Sequence, residues 1–378
     1  MKFKEYSLAN LATIKYGKNQ KKVLSDDGIV PIYGTGGLMG YATEFLYDKP
    51  SVLIGRKGTI GKVKYVDHPF WTVDTLFYTI INTDIVLPKY LYYVMSLIDL
   101  NNYNEGTTIP SLRTETLNRL IFSIPSIEDQ EKVLSCILPI DENIELNDRI
   151  NKNLHQQYML LVDRFISQLD SYDIKPLSDV ADCQNGRAFY KEGYDNEGAF
   201  VIDLGNVNTS GNFVFTNADK YISLDRYNQE KLERYRVLKN DLVMVMTDRK
   251  STMDLLGKVG KIYKDGYYLL NQRMYRIRAK NGINVNYLYA CLNSTETSNN
   301  LKEKALGSVQ KYVNTGDICD LKIKIPPKDV MEKLSEILNP IFLQMENNIL
   351  QNEILVETRD ILLPKLMSNE IDVSTLKI

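Results

Sequence analysis

The chain repeats itself, and this internal duplication constrains its fold more than any other feature of the sequence. The segment Tyr6–Ala12, followed by Gly17, resembles Lys175–Ala181, followed by Gly186. Farther along, identical residues recur 201 positions apart: Gly106/Gly307, Pro125/Pro326, Pro139/Pro340, Asn147/Asn348, Asn151/Asn352 and Leu154/Leu355. A chain of 378 residues is also too long for one comfortable core. We therefore expect two copies of one unit, each a variable globular block followed by a more regular segment.

The regular segment of each copy has the spacing of a long helix. After Pro125, Ser126 is placed to cap a helix with Asp129 and Glu131 in its first turn. We expect Pro139 to break or kink this helix. Mostly apolar residues, with asparagines among them, recur every seven positions in two rows that share one stripe. In the first copy the rows are Ile137, Ile144, Asn151, Tyr158, Phe165 and Ile140, Asn147, Leu154, Leu161, Gln168; in the second they are Leu338, Met345, Asn352, Arg359, Leu366 and Ile341, Asn348, Leu355, Leu362, Asn369.

The stripes allow two interpretations. Each stripe packs on its own globular block, or the two helices pair as an antiparallel coiled coil. In a coiled coil, a polar asparagine in the seam lowers stability but fixes the register. The candidate register residues are Asn147, Asn151, Asn348 and Asn352, and a pseudo-twofold axis would bring Asn151 and Asn352 together.

The globular blocks have the pattern of mixed α+β domains. Short β-rich runs such as Ser51–Ile54 and Asp241–Val245 alternate with Gly, Asn and Asp. A helix is predicted over Pro88–Ile98, where Tyr90 and Leu91 share a face. The predicted fold class is α+β: two pseudo-repeated mixed α/β domains, 1–125 and 170–326, separated by two long helices in 126–169 and 327–378, which form an antiparallel coiled coil under the second interpretation of the stripes.

Charge and cysteine content exclude several classes of protein. The net charge is −2, but the four segments carry +3, −4, +3 and −4 in chain order, so two basic blocks alternate with two acidic helices. A chain so nearly neutral is not expected to coat nucleic acid unaided. Four scattered cysteines and two histidines favour neither a metal site nor disulfides, and indicate a reducing cytoplasm. The N-terminus has no apolar signal core and the longest uncharged run is broken by glycines, so no membrane partner is expected.

No catalytic motif stands out. Gly34–Gly40 lacks the strand–loop–helix context of a dinucleotide loop, and in Gly55–Lys62 the glycines are misplaced for a P-loop. His155 is expected to be a solvated helix residue, and a Ser/His/Asp arrangement has little support. We conclude that the chain by itself is not an enzyme and that no catalytic or metal site should be assigned.

Recognition chemistry remains. Cations lie among glycines around Arg56, Lys57 and Lys62, and the second copy is rich in cations between Arg249 and Arg278. Arg and Lys can read guanine edges, and Asn or Gln can read adenine edges. A solvated charged surface is the alternative. The duplication favours recognition, because two basic readers on a spacer suit a two-part DNA site.

These features together resemble the specificity subunit of type I restriction–modification enzymes, over essentially the whole chain. The most telling segment is Gly106–Leu112, then Ile124–Pro125, then Glu128–Glu131 leading into the helix; it resembles the family's junction between a target recognition domain and a helical region. Pro31–Gly37, Ile54–Gly61 and Val201–Val207 are similar to other family segments. The second junction departs from the pattern, since Met331 stands in place of Gln130 and Gln310–Tyr312 in place of Ile109–Ser111.

The resemblance implies a mechanism. Two recognition domains each read half of a bipartite site in double-stranded DNA, and the helices set the spacer and dock two methyltransferase subunits. S-adenosylmethionine and methylation at adenine N6 belong to those partners, while ATP and Mg belong to a restriction and translocase subunit; this chain itself binds no cofactor. The implied DNA contacts are Tyr33, Thr35, Arg56, Lys57, Thr59, Lys62, Ser111 and Arg113 in the first domain, and Asn206, Asn208, Arg249, Lys250, Lys258, Gln272, Arg273, Lys311 and Tyr312 in the second.

Two alternatives keep parts of this interpretation. A fused methylase–nuclease system of type II-like organisation uses a similar specificity subunit, and its gene neighbours would identify it. A duplicated coiled-coil scaffold that binds only protein predicts no site-specific DNA binding and no effect of Arg56→Ala. A stand-alone methyltransferase would need cofactor motifs that the sequence lacks.

Overall fold

A computed structural model describes residues 1–189, 193–216, 218–227, 229–280 and 282–376. The chain forms two compact units: unit 1 is Met1–Leu146 with Gln351–Ile378, and unit 2 is Asn147–Leu350. Each unit is a mixed α+β block that also contains parts of both long helices. The predicted fold class is thus confirmed. The unit boundaries fall inside the long helices, and the predicted four-segment division stays a prediction.

Unit 1 is built on a four-stranded antiparallel sheet. A second sheet of three strands and a two-stranded ribbon complete its β structure. In spatial order the four strands are Ala12–Tyr16, Leu76–Ile81, Ser51–Gly55 and Val63–Val66; the three are Gly37–Ala42, Val30–Gly34 and Trp71–Thr72; the ribbon is Lys4–Ser7 with Ile121–Ile124. The short helices are Leu8–Leu11, Pro88–Ser96 and Thr114–Asn118.

The core of unit 1 lies where the helices cover the four-stranded sheet. All five residues of Ser51–Gly55 are buried, as expected for a strand covered on both faces. Tyr90 and Leu91 of the predicted helix are fully buried there. Burial of such apolar side chains is the main stabilising contribution to each unit.

Unit 2 repeats this plan with additions. It has a four-stranded and a five-stranded sheet and two two-stranded ribbons among the described residues. The four strands are Ala181–Asn185, Met274–Ala279, Leu242–Val245 and Val259–Lys261; the five are Tyr194–Asp195, Lys220–Ile222, Ala199–Ile202, Tyr268–Leu270 and Arg236–Val237; the ribbons are Asp173–Pro176 with Lys322–Ile325 and Thr247–Asp248 with Lys311–Tyr312. The helices are Leu177–Val180, Gln229–Glu233, Val285–Asn293, Thr295–Glu303 and Thr315–Cys319.

The two long helices are the central helix, Ile127–Ser167, and the distal helix, Lys328–Met367. Ser126 caps the central helix, because its Oγ accepts a hydrogen bond from the Asp129 amide at 3.2 Å. Of the break or kink expected at Pro139, the break is wrong, because the helix continues through this residue, and the kink stays a prediction. Proline cannot make the backbone hydrogen bond of a regular helix. Ile137, two residues before Pro139, is completely buried in the unit 1 core, and this packing offsets the missing bond.

The central and distal helices pack against each other in antiparallel orientation. In unit 1, Asp141 pairs with Arg359 at 3.1 Å and the Ile144 carbonyl accepts from Asn352 at 3.3 Å. In unit 2, Asn348 Nδ2 donates to Asn151 Oδ1 at 2.8 Å. Both interpretations of the stripe therefore hold, because the seam joins the helices and Ile137 also packs on a sheet. The described amide partner of Asn151 is Asn348, one turn before the predicted Asn352.

His155, on the central helix, is not the solvated residue that the sequence predicted. It is half-buried, and its Nε2 lies 3.0 Å from the Tyr289 hydroxyl. Within the described ranges, no helix combines the length and apolar character that crossing a membrane requires.

Candidate nucleic-acid interface

In unit 1, two loops bring several of the predicted contacts together. The loop after strand Ser51–Gly55 is joined to the 106–113 segment by backbone hydrogen bonds from Gly58 N to Pro110 O and from Leu112 N to Arg56 O, both 2.9 Å. Gly58 has φ +87°, which L side chains rarely adopt. Arg56, Lys57, Thr59, Ser111 and Arg113 therefore lie on one surface, which we call the unit 1 loop surface.

The cations of the unit 1 loop surface differ in the contacts that they already make within the protein. The Arg56 guanidinium lies 5.1 Å from the centre of the Tyr16 ring and donates to the Asp74 carbonyl at 2.9 Å. Arg113 is 71% exposed and pairs with Glu105 at 3.1 Å. Lys57 is exposed, and in the described part of the chain it makes no ion pair. Lys57 is thus the cation on this surface best placed to meet a phosphate.

The remaining predicted contacts of unit 1 differ in exposure. Tyr33 is buried, with its hydroxyl 3.0 Å from His68 Nε2 and the Lys64 ammonium 4.0 Å from its ring centre. Burial raises the pKa of Tyr33 above its usual value. Thr35 is half-buried beside Gly58, and Lys62 is exposed farther along the loop. Tyr33 supports the sheet and presents little surface to a ligand.

In unit 2, the predicted Gln272, Arg273 and Tyr312 line a groove of about 620 Å³. Strand pairing of Thr247 with Tyr312 and of Asp248 with Lys311 brings the second junction next to the exposed Arg249 and Lys250. The other lining residues are Asn185, Gly186, Met246, Thr247, Met274, Gln310, Val313, Asn314 and Thr315. We call this surface the unit 2 groove.

Two further residues that line the unit 2 groove, Thr247 and Gln310, were not predicted as contacts from the sequence. Thr247 is 7% exposed, and its Oγ1 has no hydrogen-bond partner among the described residues; the Nε2 of Gln310 is likewise buried without a partner there. Buried polar atoms are nearly always hydrogen-bonded in folded proteins, so each exception requires an explanation. For Gln310 the sequence did carry a signal, because the second junction departs from the first at this residue.

Six predicted contacts of unit 2 do not line the groove: Arg249, Lys250 and Lys311, which lie on or next to the ribbon that carries Tyr312, and Asn206, Asn208 and Lys258. Asn206 is 2% exposed; its amide donates to Val214 O and Asp219 Oδ1 and accepts from the Asp203 amide, so it has no free edge for a base. Asn208 Oδ1 accepts from two amides of its own turn, Ser210 and Asn212, at 3.0 Å each.

Lys258 is half-buried. Desolvation, followed by the nearby Lys302, lowers the pKa of its ammonium below the usual value. Asn206 and Asn208 bond other residues of 203–214 and Asp219, and the candidate interface does not include Asn206, Asn208 or Lys258.

The two candidate surfaces share one pattern of backbone hydrogen bonds. Arg56 N donates to Thr75 O at 2.8 Å and Met246 N to Arg273 O at 2.9 Å. The carbonyls of Arg56 and Met246 accept from Leu112 and Val313 at 2.9 and 3.1 Å.

The duplicated Gly17 and Gly186 lie behind these loops. A Cβ on either would come within 2.0 Å or 1.8 Å of a backbone oxygen, so only glycine fits. The scaffold is shared, and the side chains that it presents differ.

Comparison with known proteins agrees with this duplicated design. A family model described as the type I restriction modification DNA specificity domain matches residues 1–156 and 170–355. The chain is similar to the type I restriction enzyme MjaIX specificity subunit of Methanocaldococcus jannaschii, at 24% identity over 88% of this chain and 80% of that one. It is 23% identical to the HindI specificity subunit of Haemophilus influenzae, over 82% of this chain and 84% of that one. The crystal structure of the S subunit of a type I system from M. genitalium matches with a TM-score of 0.58 at 16% identity, over 97% of this chain and 96% of that one, which shows a shared fold.

Proposed function

The chain belongs to the type I restriction–modification DNA specificity family, and we propose that it selects a bipartite site in double-stranded DNA. The observation that carries this proposal is the duplicated scaffold, which presents Arg56 in one unit and Met246 in the other from equivalent backbone positions. Two readers with one backbone and different side chains suit two half-sites of different sequence.

The proposed interface comprises the unit 1 loop surface and the unit 2 groove with its exposed cations. Lys57, Arg249 and Lys250 are exposed and supply charge for phosphates. Gln272, Arg273 and Tyr312 line a concave surface that can receive base edges. Phosphate contacts fix position, and base contacts supply the sequence selection.

We propose that the paired long helices set the length of the unread spacer between the half-sites. Helices of 41 and 40 residues are each about 60 Å long at 1.5 Å per residue. Asparagine amides in the seam hold the register, since a polar pair buried between helices disfavours slipped alignments. A fixed register is what a spacer of constant length requires.

The chemistry is assigned to partner proteins, and this chain is proposed to be a non-catalytic subunit. Two methyltransferase subunits would bind S-adenosylmethionine and methylate adenine N6, and a restriction subunit would use ATP and Mg. The acidic long helices give these partners a charged surface to bind. The complex is proposed to work in the cytoplasm.

The test is a genome-wide map of adenine methylation in cells that express the chain with its neighbouring methyltransferase. Cells with the methyltransferase alone are the control. A new split motif, methylated on both strands and only when the chain is present, is the expected result. A stable complex of the two proteins without any new motif would count against the proposal and in favour of a protein scaffold.

A further inference from the structure

We propose that the unit 2 groove reads base edges directly and that Gln310 and Thr247 are its specificity-determining residues. This inference rests on the proposed function and extends it to individual atoms. Both residues line the groove, and neither was singled out as a contact by the sequence.

Each of these two residues carries a buried polar atom without a described hydrogen-bond partner. Thr247 Oγ1 and Gln310 Nε2 are buried from solvent, and neither has a hydrogen-bond partner in the part of the chain that the structure describes. Neither atom stabilises the fold as it stands, and each has lost its exposure to bulk water. A ligand that enters the groove with polar atoms on its edge would give each atom a partner once a side-chain rotation brings that atom to the groove surface.

Other carboxamide side chains surround these two residues in the groove. Asn185, Gln272 and Asn314 also line the groove, and in the described ranges their side chains make no hydrogen bond. A carboxamide presents a donor and an acceptor side by side, which matches adenine N7 and N6.

Arg273 is the one cation among the described lining residues. Met246, Val313 and Tyr312 add apolar surface, which suits a base edge or a thymine methyl group.

Backbone hydrogen bonds hold the turn that contains Gln310. This turn is closed by two hydrogen bonds between Leu306 and Tyr312, at 2.9 and 3.0 Å. Tyr312 is in turn paired with Thr247 across the two-stranded ribbon. These bonds fix the backbone beside both side chains, and a polar group on a fixed backbone has less freedom to adjust to a wrong base.

The residue of unit 1 that is equivalent to Met246 is Arg56, and its different side chain indicates that the two units select different bases. There the Arg56 side chain lies over Tyr16 and donates to Asp74 O. In unit 2 the equivalent residue is Met246, and carboxamides line the space beside it. The two half-sites are therefore expected to differ in sequence.

The experiment compares Gln310→Leu and Thr247→Val with the unchanged chain, each as the full chain in complex with its methyltransferase. Gln157→Leu is the matched control, since Gln157 is exposed on the central helix. Binding is measured by competition with duplexes in which each base pair of both half-sites is replaced in turn. Salt dependence and thermal melting are recorded for every variant.

For Gln310→Leu we expect discrimination at one position of one half-site to fall about tenfold or more, since a good bidentate contact supplies discrimination of this size. The other half-site, the melting temperature and the salt dependence should not change. Thr247→Val should act at the same or the adjacent position, and Gln157→Leu should act at none.

Three results would overturn the inference. Unchanged discrimination at every position shows that the groove reads no base. Equal weakening on all sequences, with a smaller salt dependence, shows a phosphate contact. An unchanged chain that selects no split motif removes the proposed function and this inference together, whereas the first two results leave the proposed function intact.

Discussion

Asn348 Nδ2 donates to Asn151 Oδ1 at 2.8 Å in the seam between the central and distal helices. Asn151 Nδ2 in turn donates to the Met345 carbonyl at 3.1 Å, and Asn352 donates to the Ile144 carbonyl at 3.3 Å. The last two bonds are images of each other, because Met345 and Ile144 lie 201 positions apart, as do Asn352 and Asn151. The duplication thus extends to single hydrogen bonds of the seam.

This pair makes a double-mutant cycle the direct test of the seam. Asn151→Leu should lower the free energy of unfolding of unit 2 by about 1–3 kcal/mol, because it leaves the buried Asn348 amide without its acceptor. The double variant Asn151→Leu with Asn348→Leu should regain most of this loss, since two apolar groups replace a satisfied pair. Denaturant unfolding measures both values. Asn153→Leu, at an exposed position of the same helix, is the control, and purely additive effects would show that the amides do not interact.

Gln130 supports a second prediction. It is completely buried; its Oε1 accepts from Leu87 N at 2.8 Å, and its Nε2 donates to Ile85 O and Pro125 O at 2.9 and 3.0 Å. Gln130→Met installs the residue that the second copy carries, Met331, and leaves these backbone groups unsatisfied. We expect unit 1 to lose about 1–3 kcal/mol of stability. Hydrogen exchange of unit 1 amides would show the loss, and Gln156→Met on the exposed face should have no effect.

The duplication and the helical spacing made the fold predictable from the sequence. Periodic apolar residues fix which face of a helix is buried, and repetition then specifies two similar blocks. A seven-residue repeat gives the stripe but not the partner of each asparagine, and the described amide partner of Asn151 is Asn348. That partner depends on where both helices dock on their sheets, which is information from distant parts of the chain.

The candidate site was less predictable, because a sequence does not show which cations are already paired. Arg278 binds Asp241 through two bonds of 2.7 Å, Arg276 binds Asp182, and Lys261 binds Glu346, all with at least one partner buried. These cations counted toward the basic character of the second block, yet they hold the fold together. Among the cations of 249–278, Arg249, Lys250 and Arg273 are exposed, and these are the cations proposed for recognition.

The exposed cations predict a change in salt dependence. Lys57→Ala and Lys250→Ala should each weaken DNA binding about equally on all sequences and reduce the slope of log K against log salt by about 1. The reason is that each lysine releases a counterion when it binds a phosphate. Binding isotherms at several salt concentrations measure the slope. Lys333→Ala, exposed on the distal helix, has the same charge change and should leave the slope as it is; a loss confined to one DNA sequence would instead indicate a base contact.

His155 predicts a pH dependence of stability. Desolvation, followed by the charge of Lys258, lowers the pKa of its imidazole below the ordinary value of 6.5. The unfolded chain therefore binds a proton at a higher pH than the folded chain, and stability falls as the pH drops below about 6.5. This loss is absent above pH 7, where both states are neutral, and cannot exceed about 1.4 kcal/mol per pH unit for one proton.

The measurement is the unfolding of unit 2 between pH 7.5 and 5.5, for the unchanged chain and for His155→Gln. We expect the two to diverge only in the acidic half of this range, with the variant less sensitive to pH. His68→Gln, an exposed position in unit 1, should leave the pH dependence of unit 2 unchanged. Parallel curves for the His155 variant and the unchanged chain would rule out this titration.

The last prediction concerns the spacer. Asn348 donates to Asn151, so the seven residues that precede Asn151, 144–150, are matched in sequence by the seven that follow Asn348, 349–355. Deleting both segments removes one heptad from each helix, or about 10 Å, and keeps the stripe in phase. We expect the methylated motif to keep both half-sites and to lose one to three base pairs of spacer, at 3.4 Å per base pair. Deleting only one segment puts the seam asparagines out of register and should abolish methylation. Altered half-sites with an unchanged gap would contradict the role proposed for the helices.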